Sequence, residues 1–298
     1  MLIQFTVGNF MSFKDKATLS LEATNDDWRE EDNVAAMGAQ RLVKSAAIYG
    51  PNAGGKSNFL KAMMQFRTLV MESSKDTQKG EPIPVTPFRL HTTTEAAPSF
   101  FEAVFLQGGK RYRYGFEATL EAVQSEWLFS RADSIRETRL FTREKNAIET
   151  ADSFKGGKGL EERTRPNALF LSVAAQFNGE IAGDIINWMN RFRGISGMDE
   201  EGYMNFTTKR LDDPDDGPLI RKLVKQADVG IENLERHEIA REKLPELIPK
   251  SFSQEFRERI LGMAKEGAFA VKTYHTRFDA NEKPAGTVEF DSLPSHRN

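Results

Sequence analysis

The sequence contains no cysteine. Disulfides, thiolate metal sites and cysteine nucleophiles are therefore excluded, and the absence fits a reducing compartment. Histidine is scarce, four residues in 298, which leaves little material for a histidine metal centre. His237 and His275 sit singly on strand-like runs, where a packed or surface imidazole is the commoner outcome. Excess charge of one sign is also missing. The 41 Lys and Arg stand against 44 Asp and Glu, a net charge of −3. No global basic field advertises nucleic acid, and DNA stays open only through a local patch. No apolar run approaches the ~20 residues of a membrane span. Met1-Leu2-Ile3-Gln4-Phe5-Thr6-Val7 enters a strand pattern at once, without the basic and long apolar regions of a signal peptide. The expectation is a cytoplasmic protein with no membrane partner.

Against these absences stands one strong pattern. Gly50-Pro51-Asn52-Ala53-Gly54-Gly55-Lys56-Ser57 fits the phosphate-binding P-loop: a glycine, four residues, then Gly-Lys-Ser/Thr. Its flanks fit as well. Ser45-Ala46-Ala47-Ile48-Tyr49 is short and mostly apolar and reads as a buried strand. From Asn58 to Val70, the residues Phe59, Leu60, Met63, Phe66 and Val70 recur as one apolar helix face would. In a strand, loop and helix of this kind, backbone N–H groups turn toward a phosphate and the helix N-terminus adds partial positive charge. Lys56 then reaches the β- and γ-phosphates, and the Ser57 hydroxyl is a Mg2+ ligand. ATP and Mg2+ are the cofactors expected. A chance glycine turn before a helix is the bland alternative, and the register of all three elements weighs against it.

The remaining chain reads as a folded α/β protein, with 39% apolar and 29% charged residues. Strands are expected at Met1–Val7 and Ala17–Leu21, with the polar stretch Asn25–Gln40 as a loop. Glu72–Pro98 carries Gly80, Pro82, Pro84 and Pro87 and reads as irregular. Phe100–Leu106, Arg111–Leu120 and Val123–Ser130 follow as three strands of an antiparallel layer, with Gly108-Gly109 as a hairpin turn. Tyr112, Tyr114 and Phe116 alternate with Arg111, Arg113 and Gly115. A half-buried strand explains this better than a nucleic-acid surface. The basic stretch Arg131–Arg165 is interrupted by acids and reads as solvated surface rather than a phosphate track. Ala168 to Phe177 is apolar enough to be buried, and Glu180–Arg193 carries Ile181, Ile185, Trp188 and Phe192 on a helical stripe. Asp212, Asp213, Asp215 and Asp216 lack the spacing of a calcium loop and read as a solvated loop before a helix at Leu219–Ala227. Ile231–Ala240, Ala268–Thr276 and Thr287–Asp291 read as strands, and Phe252–Lys265 as a helix. The Ser45–Tyr49 strand is expected to be central and parallel to a neighbour.

Gly8-Asn9-Phe10-Met11-Ser12-Phe13 after the first strand resembles the opening of ABC-type ATPases of the SMC, RecF and OLD group. Gly50-Pro51-Asn52 with Gly55-Lys56-Ser57 resembles their P-loop. Asn167 to Asn178 and Ala227-Asp228-Val229-Gly230-Ile231 are similar to runs in the prokaryotic AAA/ABC-like ATPases that are encoded beside nucleases in phage-defence systems. The resemblance implies an α/β P-loop NTPase core of ABC-ATPase type, with an antiparallel β layer and a helical insert. It divides the chain into an ATP-binding lobe at 1–177, an insert or arm at 178–265 and returning strands at 266–298. It implies a homo-oligomer closing on two nucleotides, and an effector partner, a nuclease or toxin, encoded nearby. Gln176 is the candidate for the glutamine that bridges Mg2+ and the attacking water; an amide closing a helix is the equal alternative.

Two departures from that family stand out. Met11 occupies a position where the wider group often carries arginine. The second concerns the Walker B strand, an apolar run ending in Asp-Glu. The sole Asp-Glu is Asp199-Glu200, after Gly194-Ile195-Ser196-Gly197-Met198, which is not a buried strand. The expectation is an N-terminal part of an ABC-type ATPase, ending before the signature and Walker B segments. A non-hydrolysing nucleotide-sensing scaffold is the alternative. A small-molecule P-loop kinase ranks third, and the lack of Asn-Lys-x-Asp counts against a GTPase.

Overall fold

The computed structural model describes residues 1–25, 29–38, 40–132, 136–195, 201–248, 253–263 and 268–291. They form two compact units, Met1–Gly194 and Ile195–Asn298. In the first unit the chain runs through β1 (Leu2–Gly8), β2 (Ala17–Ser20), the short α1 (Glu30–Asn33), β3 (Val34–Met37) and β4 (Gln40–Val43). Then come α2 (Lys56–Glu72), β5 (Ser99–Gln107), β6 (Lys110–Ala118), β7 (Val123–Arg131), β8 (Thr138–Glu144), β9 (Ala147–Thr150), α3 (Phe170–Gln176) and α4 (Glu180–Met189). The second unit holds α5 (Glu201–Arg210), α6 (Asp216–Gln226), β10 (Ile231–Ile239), α7 (Leu244–Leu247), α8 (Gln254–Met263), β11 (Ala268–Phe278) and β12 (Pro284–Asp291). The fold is mixed α/β.

A seven-stranded antiparallel sheet, in the order β2-β1-β5-β6-β7-β8-β9, organises the first unit. Its two-residue alternation decides which side chains meet. Phe101, Ala103, Phe105, Tyr112, Tyr114, Phe116 and Leu128 point to one face and are buried there. Against that face lies α2, whose Phe59, Met63, Phe66 and Val70 recur at helical spacing and are buried. The rings interlock: Phe5 meets Phe66 edge-on at 5.6 Å, and Phe66 stacks on Phe116 at 5.6 Å. Each such ring contributes about 1.5–3 kcal/mol by leaving water. The outward residues of β6 differ in kind. Arg113 pairs with Glu102 and Glu137. At Gly115 the Trp127 indole lies so close that a Cβ would sit 2.5 Å from its ring. Tyr112, Tyr114 and Phe116 thus belong to an ordinary half-buried strand.

The P-loop strand is the main correction. Residues 45–50 form no strand, and they are exposed, Tyr49 by 91% and Ile48 by 41%. No strand pair among the described residues is parallel, and none includes 45–49. An extended apolar run becomes a strand only where a neighbour takes up its N–H and C=O groups. Among the described residues no strand takes up those of 45–49. Asn25–Gln40 also differs from a plain loop. Its described residues contain α1 and, closing on β4, β3 of a hairpin. Leu42 of β4 is fully buried with Ile3 and Val104 on the second face of the sheet.

The stretch Arg131–Arg165 is not simply solvated surface. It supplies β8 and β9, and the Arg143 side chain is 1% exposed. Arg143 donates to the carbonyls of Ala168 (2.6 Å), Lys145 (2.7 Å), Pro166 (3.2 Å) and Arg165 (3.3 Å), with Glu126 at 3.6 Å. Glu126 in turn accepts from the amides of Phe170 (2.7 Å) and Leu171 (3.0 Å) and from the Tyr114 hydroxyl (2.9 Å). A carboxylate on β7 therefore satisfies the first amides of α3, which has no side-chain cap of its own. Burial pushes the Glu126 carboxyl above its ordinary range, against the opposing pull of Arg143 and of these donors.

In the second unit, β10, β11 and β12 form an antiparallel sheet. The acidic stretch expected as a loop before Leu219 follows α5, its Asp216 already opens α6, and Asp199-Glu200 lies outside the described residues. Asp212 pairs with Arg236 at 2.8 Å, and Asp216 pairs with Arg210. No group of three or more metal-binding side chains occurs among the described residues.

Candidate functional site

The start of α2 is shaped by three residues in left-handed or tight conformations. Ala53 has φ 62° and Gly55, the residue before the helix, φ 89°. Between them Gly54 closes a turn by donating to the Pro51 carbonyl at 3.1 Å. A Cβ on Gly54 would approach that carbonyl to 2.9 Å, and one on Gly55 would approach the Ser12 Oγ to 2.9 Å. Glycine is favoured at Gly55 by its conformation, and the Ser12 hydroxyl fills the space a Cβ would take. Phe59 makes an early helical hydrogen bond, to the Gly55 carbonyl at 2.9 Å. The amides of Lys56, Ser57 and Asn58 therefore project from the helix end, where the macrodipole is positive.

Lys56 bends back over this end. Its Nζ donates to the carbonyls of Gly50 (2.6 Å) and Pro51 (2.7 Å). Gly50 to Gly54 and Ser57 are exposed. The eight residues Gly50, Pro51, Asn52, Ala53, Gly54, Gly55, Lys56 and Ser57 thus form one exposed loop and helix start, with an ammonium across its mouth.

A second turn supports the loop. Asn9 (φ 45°) and Met11 (φ 49°) are both left-handed, and Phe10 and Phe13 exchange backbone hydrogen bonds at 2.9 and 2.8 Å. Asn9 fixes this turn. Its Nδ2 donates to the carbonyls of Thr94, Ala97 and Pro98, and its Oδ1 accepts from the Phe88 amide. Ser99 Oγ donates to the Asn9 carbonyl at 2.6 Å, and Met11 N–H donates to Thr86. From the turn, Phe13 meets Phe59 edge-on at 5.9 Å, and Ser12 Oγ accepts from Asn58 Nδ2 at 3.1 Å. Asn9 to Phe13 stand out in the sequence by resemblance alone, which assigns no contact to Asn9, Ser12 or Asn58. The partners of Asn9 lie 79 to 89 residues away, and Ser12 and Asn58 are 46 residues apart, joined across a turn whose φ values a sequence does not display.

Gln176 is not brought to the loop. It is exposed at the end of α3. One turn earlier, Ser172 hydrogen-bonds Ser74 at 2.8 Å, beyond the far end of α2. At 1.5 Å per residue, that end is about 24 Å from Lys56.

The loop's donor set suits a nucleotide triphosphate with Mg2+. Projecting amides and an ammonium are complementary to phosphate oxygens, and Ser57 adds a hydroxyl oxygen of the kind Mg2+ takes. No helix among the described residues is long and apolar enough to cross a membrane. No curated protein matches the chain. A family model does: residues 45–285 match the family described as "AAA domain, putative AbiEii toxin, Type IV TA system". The match begins at Ser45, immediately before the glycine-rich loop, and takes in most of both compact units. Proteins of this kind generally bind ATP with Mg2+. The chain belongs to this AAA-domain family of P-loop ATPases.

Proposed function

We propose that the chain binds ATP and Mg2+ at Gly50–Ser57 and is an ABC-type ATPase, similar to the SMC, RecF and OLD group, that controls an effector partner. The observation that carries the reading is the left-handed Gly55 directly before Lys56. It aims the first amides of α2 and the Lys56 ammonium at the same exposed mouth. Lys56, whose Nζ rests on the Gly50 and Pro51 carbonyls, is the residue that would hold the β- and γ-phosphates of a bound triphosphate. Ser57 is the residue that would hold Mg2+, whose charge, when bound, offsets that of the phosphates. The family's link to type IV toxin–antitoxin systems supports a nearby partner protein. On this reading the partner is a toxin or nuclease in anti-phage defence, the active form is a homo-oligomer, and the protein works in the cytoplasm, with DNA as a further ligand.

A nucleotide-sensing scaffold without turnover is the second reading. The exposed position of Gln176 at the end of α3 supports it, since hydrolysis needs a group that orients water beside the γ-phosphate. Titration with a fluorescent ATP analogue tests the shared step. Lys56→Ala should abolish binding, because no other side chain of the loop carries the charge. Equal affinity for variant and parent would remove the P-loop assignment.

A further inference from the structure

Resting on that ATP-binding reading, we propose that Ser12 is a positioning residue of the phosphate loop, holding Gly55 and Asn58 in place from the neighbouring turn. Three observations converge on it. Its Oγ accepts the Asn58 side-chain amide at 3.1 Å. The same oxygen occupies the space into which a Gly55 Cβ would project, at 2.9 Å. The turn that carries it is itself fixed, by Asn9 to four backbone groups of the Phe88–Pro98 segment and by Met11 to Thr86.

The physical role follows from the loop's exposure. Gly50 to Gly54 are exposed, and Gly55 is free of any Cβ that would limit its φ. A glycine with that freedom samples many conformations, and only some of them aim the amides of α2 at one point. Ser12, in the space beside Gly55, removes part of this freedom. Phe13, one residue on, packs on Phe59 in the first turn of the helix and fixes the height of the turn against it. Ser12 is exposed and hydrogen-bonds outside the core, so its loss should cost the fold little. It does not touch phosphate; it acts through Gly55 and Asn58.

The test uses the whole 298-residue chain and three measurements. Ser12→Ala should weaken binding of the fluorescent ATP analogue roughly fivefold, the scale of one neutral hydrogen bond. Asn58→Ala should weaken it similarly, and the double variant by less than the two losses combined, because both remove the shared Ser12–Asn58 bond. The nucleotide-free melting temperature should not move, while amide exchange over residues 53–58 of the nucleotide-free chain should speed up in Ser12→Ala. Parental affinity and exchange in Ser12→Ala, with Lys56→Ala unable to bind, would overturn the role of Ser12 and leave the P-loop reading standing. Fully additive losses in the double variant would overturn it too. Parent and Lys56→Ala behaving alike would remove the P-loop reading, and this inference with it.

Discussion

The two ends of α2 are built in opposite ways. At the C-terminal end side chains from distant segments take up groups of residues 73–81. Ser73 Oγ accepts the Leu169 amide at 3.1 Å, and Ser74 and Ser172 share a hydrogen bond. Arg165 reaches the carbonyls of Ser73, Ser74 and Thr77, where a cation also meets the negative end of the helix dipole. Asn167 ties down the next turn through Gln78 and Glu81. At the N-terminal end no side chain caps the helix, and the ammonium of Lys56 rests on two exposed carbonyls. One end is rich in internal partners. The other keeps its donors for something that arrives. A helix that must present a ligand site without drifting needs this asymmetry, because rigidity supplied at one end spares the other from supplying it.

The sharpest way to break the contrast is to unpair the richly partnered end. Arg143→Ala leaves Glu126 buried without its cation and strips the carbonyls of Lys145 and of Arg165, Pro166 and Ala168 of their donor. It should cost about 3–5 kcal/mol, seen as a lower denaturation midpoint or as insoluble chain. Arg165→Ala, which removes only the helix-end contacts, should cost about 1–3 kcal/mol in the same measurement. At the open end the pattern should invert. Gly55→Ala forces a side chain into φ 89° and against Ser12, at about 1–2 kcal/mol of stability. Its larger effect should be on nucleotide affinity, falling more than about tenfold for a ~1.4 kcal/mol distortion of the bound geometry.

A pH series sharpens the same comparison with a smaller effect. The Glu126 carboxyl is held above its ordinary value in the folded chain. The folded state therefore keeps a proton that the unfolded state has already released. Stability from this group is highest below the unfolded value, about 4.3, and declines as pH rises toward the folded one. Glu126→Gln should flatten that slope, whatever its effect on the stability level. An unchanged slope in denaturation midpoints would mean that the network stays ionised throughout.

Much of this fold is legible in the sequence. The apolar residues of β1, β5, β6 and β7 alternate, those of α2 recur at three and four, and both periods survive folding because one face of each element is buried. The eight-residue loop is legible because its glycines and Lys-Ser pair serve one local geometry. What escapes is what depends on distant partners. Arg143 reads as one more surface cation until Glu126 and the carbonyls of 165–168 surround it. Ser45–Tyr49 reads as a buried strand because its residues are apolar, yet pairing requires a neighbour that the run itself does not encode. Asn9 looks like a turn residue, and nothing near it in the chain announces the Phe88–Pro98 segment that it holds.

Amide hydrogen exchange with and without ATP and Mg2+ tests the contrast between the two helix ends most directly. The account predicts slow, unaltered exchange in residues 73–81 and 165–172, and new protection on adding nucleotide at 50–58, with a smaller gain at 9–13. Lys56→Ala should erase that gain. Protection that appears at the C-terminal end of α2 instead, or nowhere in the first unit, would contradict it.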